Sequence, residues 1–141
     1  MLRQANILIA LCVLAWLPNC SKPIPNFESE GDRAVVRAGG GYESVAECLY
    51  EWLSRKKPAY KFKHGRGIAR ELRRRSSPHL READVTGLIF GVPIFVVNLR
   101  PGLAGQTNAE IISAPNPSPY TSTEVIDILT TGIEECGDGA R

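Results

Sequence analysis

The chain has 141 residues, 43% of them apolar and 23% charged. Those figures exclude collagen-like, wholly disordered and multi-span membrane classes, and the length calls for no second folded unit. Seventeen Lys and Arg against fifteen Asp and Glu leave a net charge of +2, too small to imply a partner by itself.

Residues 1–6 carry Arg3, residues 7–17 are uninterruptedly apolar, and Pro18 follows. A short basic start and a brief apolar core are the layout of a secretory signal, here residues 1–20. A helix over residues 7–17, rising ~1.5 Å per residue, falls well short of a ~30 Å hydrocarbon core, so a spanning anchor is not expected. Residues 17–21 resemble a lipobox: Leu17 suits its first position, Cys20 stands where lipid is attached, and small Ser21 follows. Pro18 and Asn19 depart from that pattern. The resemblance implies lipidation at Cys20 and a chain held at a membrane surface. Cleavage without lipid and a retained segment are the other outcomes.

Residues 21–41 hold Pro23, Pro25, three acidic side chains and three consecutive glycines, and they read as a linker. A helix is predicted from Ser44, which has capping-box spacing with Glu47. Val45, Cys48, Leu49, Trp52 and Leu53 recur on one face at helical period; Lys56 and Lys57 suit the negative end, and Pro58 stops the run. Trp52 is assigned to the core, with its indole N–H reaching a partner at the edge. The alternation of Tyr60, Lys61, Phe62 and Lys63 suits an edge strand. Residues 68–72 suit a short helix with Ile68 and Leu72 inward.

Residues 85–90 and 94–99 are rich in Val, Ile and Phe and predict two strands, with a turn at Gly91 or Pro93. Arg100-Pro101-Gly102 is a turn signal, and residues 109–113 return as another strand. After a loop containing Pro115, Pro117 and Pro119, Thr121 and Glu124 repeat the capping-box spacing. Val125, Ile126, Leu129, Ile133 and Cys136 form the stripe of a second helix, ended by Gly137 and Gly139.

These elements compose a single α+β domain over residues 42–141: a small antiparallel sheet of three to four strands packed against two amphipathic helices. With Cys12 and Cys20 in the export segment, Cys48 and Cys136 remain for the domain. In an oxidising compartment they admit one pairing, between the inner faces of the helices; two buried free thiols are the alternative.

Charge is unevenly placed. Residues 55–75 hold ten basic side chains against Glu71, and residues 82–141 hold eight acidic ones against Arg100 and Arg141. Such halves can pair internally, across a dimer or with a partner. Lys61, Lys63, Arg66, Arg70, Arg73, Arg74 and Arg75 are the candidate partner-binding residues, joined by Arg100 on a glycine-rich loop. A solvated charged face is the bland reading. The functional ones are an acidic protein partner, an anionic membrane surface, an anionic glycan, or nucleic acid stacked on Tyr60 and Phe62. Export weighs against nucleic acid, and the chain carries none of its recognition signatures.

Ser76, Ser77, His79 and Asp84 are close in sequence, but closeness is not triad geometry, and no Gly-x-Ser-x-Gly elbow is present. The glycine clusters lack P-loop and dinucleotide features, and the cysteines and histidines lack metal-site spacing, so no cofactor or metal is expected. The enzyme alternative is a hydrolase acting on an anionic envelope substrate, with His79 and His64 as the residues to test.

Cys20, Cys48 and Cys136, set in a helix–strands–helix order, make the chain resemble small bacterial periplasmic lipoproteins with one disulfide between the helices. The resemblance is one of architecture. It implies a non-catalytic binding role at the cell envelope, either as a component of a secretion or envelope assembly or as an immunity-type inhibitor.

Overall fold

Burial alternates along the strand β1 (Asp32–Ala38), so Ala34, Val36 and Ala38 meet the core while Arg33, Val35 and Arg37 are exposed. The computed structural model describes residues 30–55, 68–115, 117 and 120–139. The expected signal, the strand at 60–63, and Lys61, Lys63, His64 and Arg66 lie outside the described residues. The linker expected over 21–41 is corrected by β1. The prolines and glycines around it dominate the local composition, and what holds the strand is its pairing with distant residues 107–113.

The helix α1 (Tyr42–Ser54) starts two residues before Ser44, with Gly41 as N-cap and no side-chain cap. A long-range contact sets that start. The Thr107 hydroxyl donates to the Gly40 carbonyl at 2.7 Å, and Gly40 takes the left-handed φ of 93° that the tight exit from β1 requires. The rest of α1 follows its apolar stripe: Val45, Leu49, Trp52 and Leu53 are buried. Trp52 Nε1 donates to Glu135 Oε2 at 2.8 Å.

Four strands then form an antiparallel meander: β2 (Glu71–Ser77), β3 (Glu82–Ile89), β4 (Val92–Pro101) and β5 (Thr107–Ser113). Strand β1 adds beyond β5, giving the order β1-β5-β4-β3-β2 with β1 and β2 at the edges. The sheet thus has five strands instead of three or four. The short helix expected at 68–72 is absent, because Glu71 and Leu72 open β2 and pair with Leu88 and Gly87. Cross-strand pairing overrides the modest helical preference of Arg, Glu and Leu. Gly87 faces Phe95 while Leu88 faces Pro93, so Ile94 is the extra residue of a bulge, and Ile94 and Phe95 are both buried. Pro93 therefore lies inside β4 beside the bulge, and the turn is made by Phe90 and Gly91.

The helix α2 (Ser122–Gly139) begins at the predicted capping box. Thr121 N–H donates to Glu124 Oε2 at 2.8 Å, and Glu124 N–H donates to Thr121 Oγ1 at 3.2 Å. Thr121→Ala is expected to lower stability by about 1 kcal/mol, read as a smaller midpoint in urea unfolding with unchanged slope. Gly137 does not end the helix. A Cβ there would stand 2.9 Å from both Ala38 Cβ and Gly39 N, so the missing side chain lets α2 approach β1.

The two helices cover one face of the sheet. Val45 and Leu49 from α1, Val125, Leu129 and Ile133 from α2, and Val85, Phe95, Val97, Leu99 and Ile111 from the sheet are fully buried between the layers. Cys48 and Cys136 form a disulfide across the helices, with Cα atoms 5.7 Å apart. The domain is a small α+β fold, an antiparallel sheet against two disulfide-linked helices, as expected.

Candidate binding surface

Strand alternation and register decide which predicted residues share a face. Arg73 and Arg75 on β2 stand opposite Thr86 and Asp84 on β3, and the same rows continue to Val96 and Asn98 on β4 and to Ile112 and Glu110 on β5. This is the face turned away from the helices. It holds a groove of about 670 Å³ bordered by Arg73, Arg75, Asp84 and Asn98, with Leu88 and Ile112 buried at its floor.

Four arginines of this face have an acidic neighbour. Arg73 Nε lies 2.7 Å from Glu71 Oε1, Arg75 Nε 3.1 Å from Asp84 Oδ2, and Arg100 Nε 3.2 Å from Glu82 Oε2. Arg33 pairs with Glu110 near the other edge. Of these pairs, Arg75–Asp84 joins the basic run to the acidic half of the chain. The side chains of Arg73 and Arg75 are 62% and 82% exposed, and such pairs contribute only about 0–1 kcal/mol, so an incoming anion displaces them at little cost.

The remaining arginines are placed differently. Arg74 points to the helix side, bordering a smaller hollow of about 330 Å³ with Glu43, Glu47 and Ser76, and makes no ion pair among the described residues. The Arg70 guanidinium lies 4.4 Å from the centre of the Phe90 ring. The structure therefore brings Arg70, Arg73, Arg74 and Arg75 onto one edge of the sheet, with Arg100 on β4.

Ser76, Ser77, His79 and Asp84 are not brought together. Ser76 pairs with Ala83 on the helix side, so Asp84, one residue on, points to the opposite face. Ser76 Oγ donates to Glu43 Oε1 at 3.1 Å, and Asp84 accepts from Arg75 and from Thr86 Oγ1. His79 is exposed in the short 3₁₀ turn Pro78–Leu80. Desolvation, followed by the adjacent Glu43 carboxylate, raises the Tyr42 phenol above its ordinary value. Among the described residues, no group of three His, Cys, Asp or Glu could hold a metal ion, and no helix is long and apolar enough to cross a membrane.

One surface feature escaped the sequence reading. Phe90, assigned to a strand, stands at the tip of the β3–β4 hairpin with Val92 beside it, both exposed. The dipeptide Phe90-Gly91 between two apolar runs was its signal, since a glycine there marks a two-residue turn.

No family model matches the chain, and no curated protein and no solved structure matches it either.

Proposed function

We propose that this chain is a non-catalytic binding protein of the bacterial cell envelope, exported to the periplasm and tethered to a membrane surface through Cys20. Its arginine-bearing edge takes an acidic protein partner. The observation that carries this reading is β2 itself: an edge strand with Arg73 and Arg75 exposed on one side beside a groove floored by Leu88 and Ile112. An edge strand can accept another strand along its backbone, and exposed guanidinium groups select an acidic one. The groove adds apolar contact between the charges. An immunity-type inhibitor and an assembly component both fit, and they differ in the partner captured.

The test is affinity capture of the full-length chain from native-host envelopes in mild detergent, beside the variant Arg73→Gln/Arg74→Gln/Arg75→Gln. One acidic protein is expected in the parent sample and to be depleted at least roughly tenfold in the variant, as expected for losing three charged contacts at an interface rim and core. The variant should unfold at nearly the parent's midpoint, because exposed ion pairs contribute little. A prey retained equally by both, or no prey with the bait still in the envelope fraction, overturns the reading.

A further inference from the structure

The β3–β4 turn is built with an unfavourable residue. Ile89 pairs with Val92, so Phe90 and Gly91 are the two central residues, and both have positive φ, 51° and 76°. That is a type I′ turn, for which Asn-Gly or Asp-Gly is favoured. Gly91 fits. Phe90 holds a bulky side chain in the left-handed region, where Cβ crowds the following carbonyl oxygen. A strained residue held outside the core points to a role outside the fold. Phe90 is 80% exposed and Val92 56% exposed, so neither contributes to the core.

The surroundings identify what they meet. Arg70, whose backbone N–H donates to the Leu88 carbonyl two residues before Phe90, lays its guanidinium 4.4 Å from the Phe90 ring centre, setting a cation against an apolar tip. An exposed apolar tip joined to a cation matches an anionic bilayer, where acyl chains lie beneath phosphate groups. The hairpin also stands at a particular end of the sheet. Asp32, the first residue of β1, pairs with Ser113, which pairs with Phe95, three residues from Val92. The chain therefore enters β1 at the same end as the Phe90 tip. Cys20 precedes Asp32 by twelve residues, a span of at most roughly 40 Å when extended. The exposed Leu103 and Leu80 lie at the opposite end, in the turns after β4 and β2.

We infer that the β3–β4 hairpin is a membrane-docking tip, which sinks Phe90 and Val92 into an anionic bilayer while Arg70 contacts the headgroup phosphates. The inference rests on the membrane-tethered reading above and adds the end of the domain that faces the lipid. The Arg73 and Arg75 face, standing across the sheet plane, is left available to a protein partner.

The experiment uses the full-length chain carrying the photo-crosslinker benzoylphenylalanine at position 90, or at position 103 as the control, on vesicles of phosphatidylcholine and phosphatidylglycerol. Irradiation is expected to give a lipid adduct at position 90 and none at 103, read by mass spectrometry, and the adduct should weaken on phosphatidylcholine alone. With the probe moved to position 92, Phe90→Asn should weaken the adduct by roughly fivefold or more through loss of the buried aromatic. Phe90→Asn should also melt at a higher temperature, because Asn tolerates the left-handed backbone, so lost contact is not lost folding. Chain that floats with vesicles but gives no adduct at 90, or equal adducts at 90 and 103, overturns the docking tip and leaves the tether standing. Chain that fails to float on either lipid overturns both.

Discussion

Replacing both bridge cysteines, Cys48→Ala/Cys136→Ala, is expected to lower stability by about 2–5 kcal/mol. The bridge spans 88 residues of sequence, and a loop of that length gives about 4–5 kcal/mol in the chain-entropy model. The architecture makes that constraint consequential. Helix α1 packs mainly on β2, β3 and β4, whereas α2 packs on β1 and β5, so the bridge ties together two halves of one helical layer. Paired alanines avoid leaving a buried hydroxyl at position 136, where the native side chain is 2% exposed. Urea unfolding under non-reducing conditions checks the expectation: the midpoint should fall and the slope should rise as the unfolded chain expands. A midpoint equal to the parent's would remove the bridge as the clamp between the helices. A lowered midpoint in the paired-alanine variant also predicts sensitivity to reductant, with the parent approaching that midpoint when reduced.

The parts of this fold legible in sequence are those decided locally. The start of α2 follows from Thr121 and Glu124, and its buried face from Val125, Leu129 and Ile133, because capping and a 3.6-residue period need only near neighbours. The start of α1 was misread because the Thr107 hydroxyl on Gly40, sixty-seven residues away in sequence, overrides the capping spacing of Ser44 and Glu47. Both edge strands were missed for a related reason. The segments Asp32–Ala38 and Glu71–Ser77 are short and arginine-bearing, and only their partners β5 and β3 make them strands. For the candidate surface, the arginines were visible as a charge run, but a charge count carries no sidedness. Once β2 is a strand, period-two alternation separates Arg74 from Arg73 and Arg75 and sends Ser76 and Asp84 to opposite faces. Phe90 read as strand because its apolar character was visible and its left-handed backbone was not.

The second large effect is expected at Gly87, beneath the groove. A Cβ at this position would stand 2.2 Å from Phe95 Cε1 and 2.5 Å from Cζ, deep inside contact distance. Phe95 is fully buried in the core between sheet and helices, so its ring has no free space into which to turn. Gly87→Ala must therefore shift the ring or part β3 from β4, and overpacking of that kind is expected to cost about 3 kcal/mol. The double variant Gly87→Ala/Phe95→Leu separates this clash from the ordinary cost of a glycine change. Leu lacks the ring atoms that a new Cβ would strike, so the two substitutions should be less destabilising together than their sum by about 1 kcal/mol or more. Chemical unfolding of the two single variants and the double variant measures that coupling, and simple additivity would defeat the packing account. The position also links scaffold to surface. Gly87 adjoins Leu88 at the groove floor, next to the bulge that aims the β3–β4 hairpin. Gly87→Ala should accordingly weaken partner capture and stability together, whereas the arginine-to-glutamine variant weakens capture with stability nearly intact. That contrast distinguishes residues that build the surface from residues that touch what it binds.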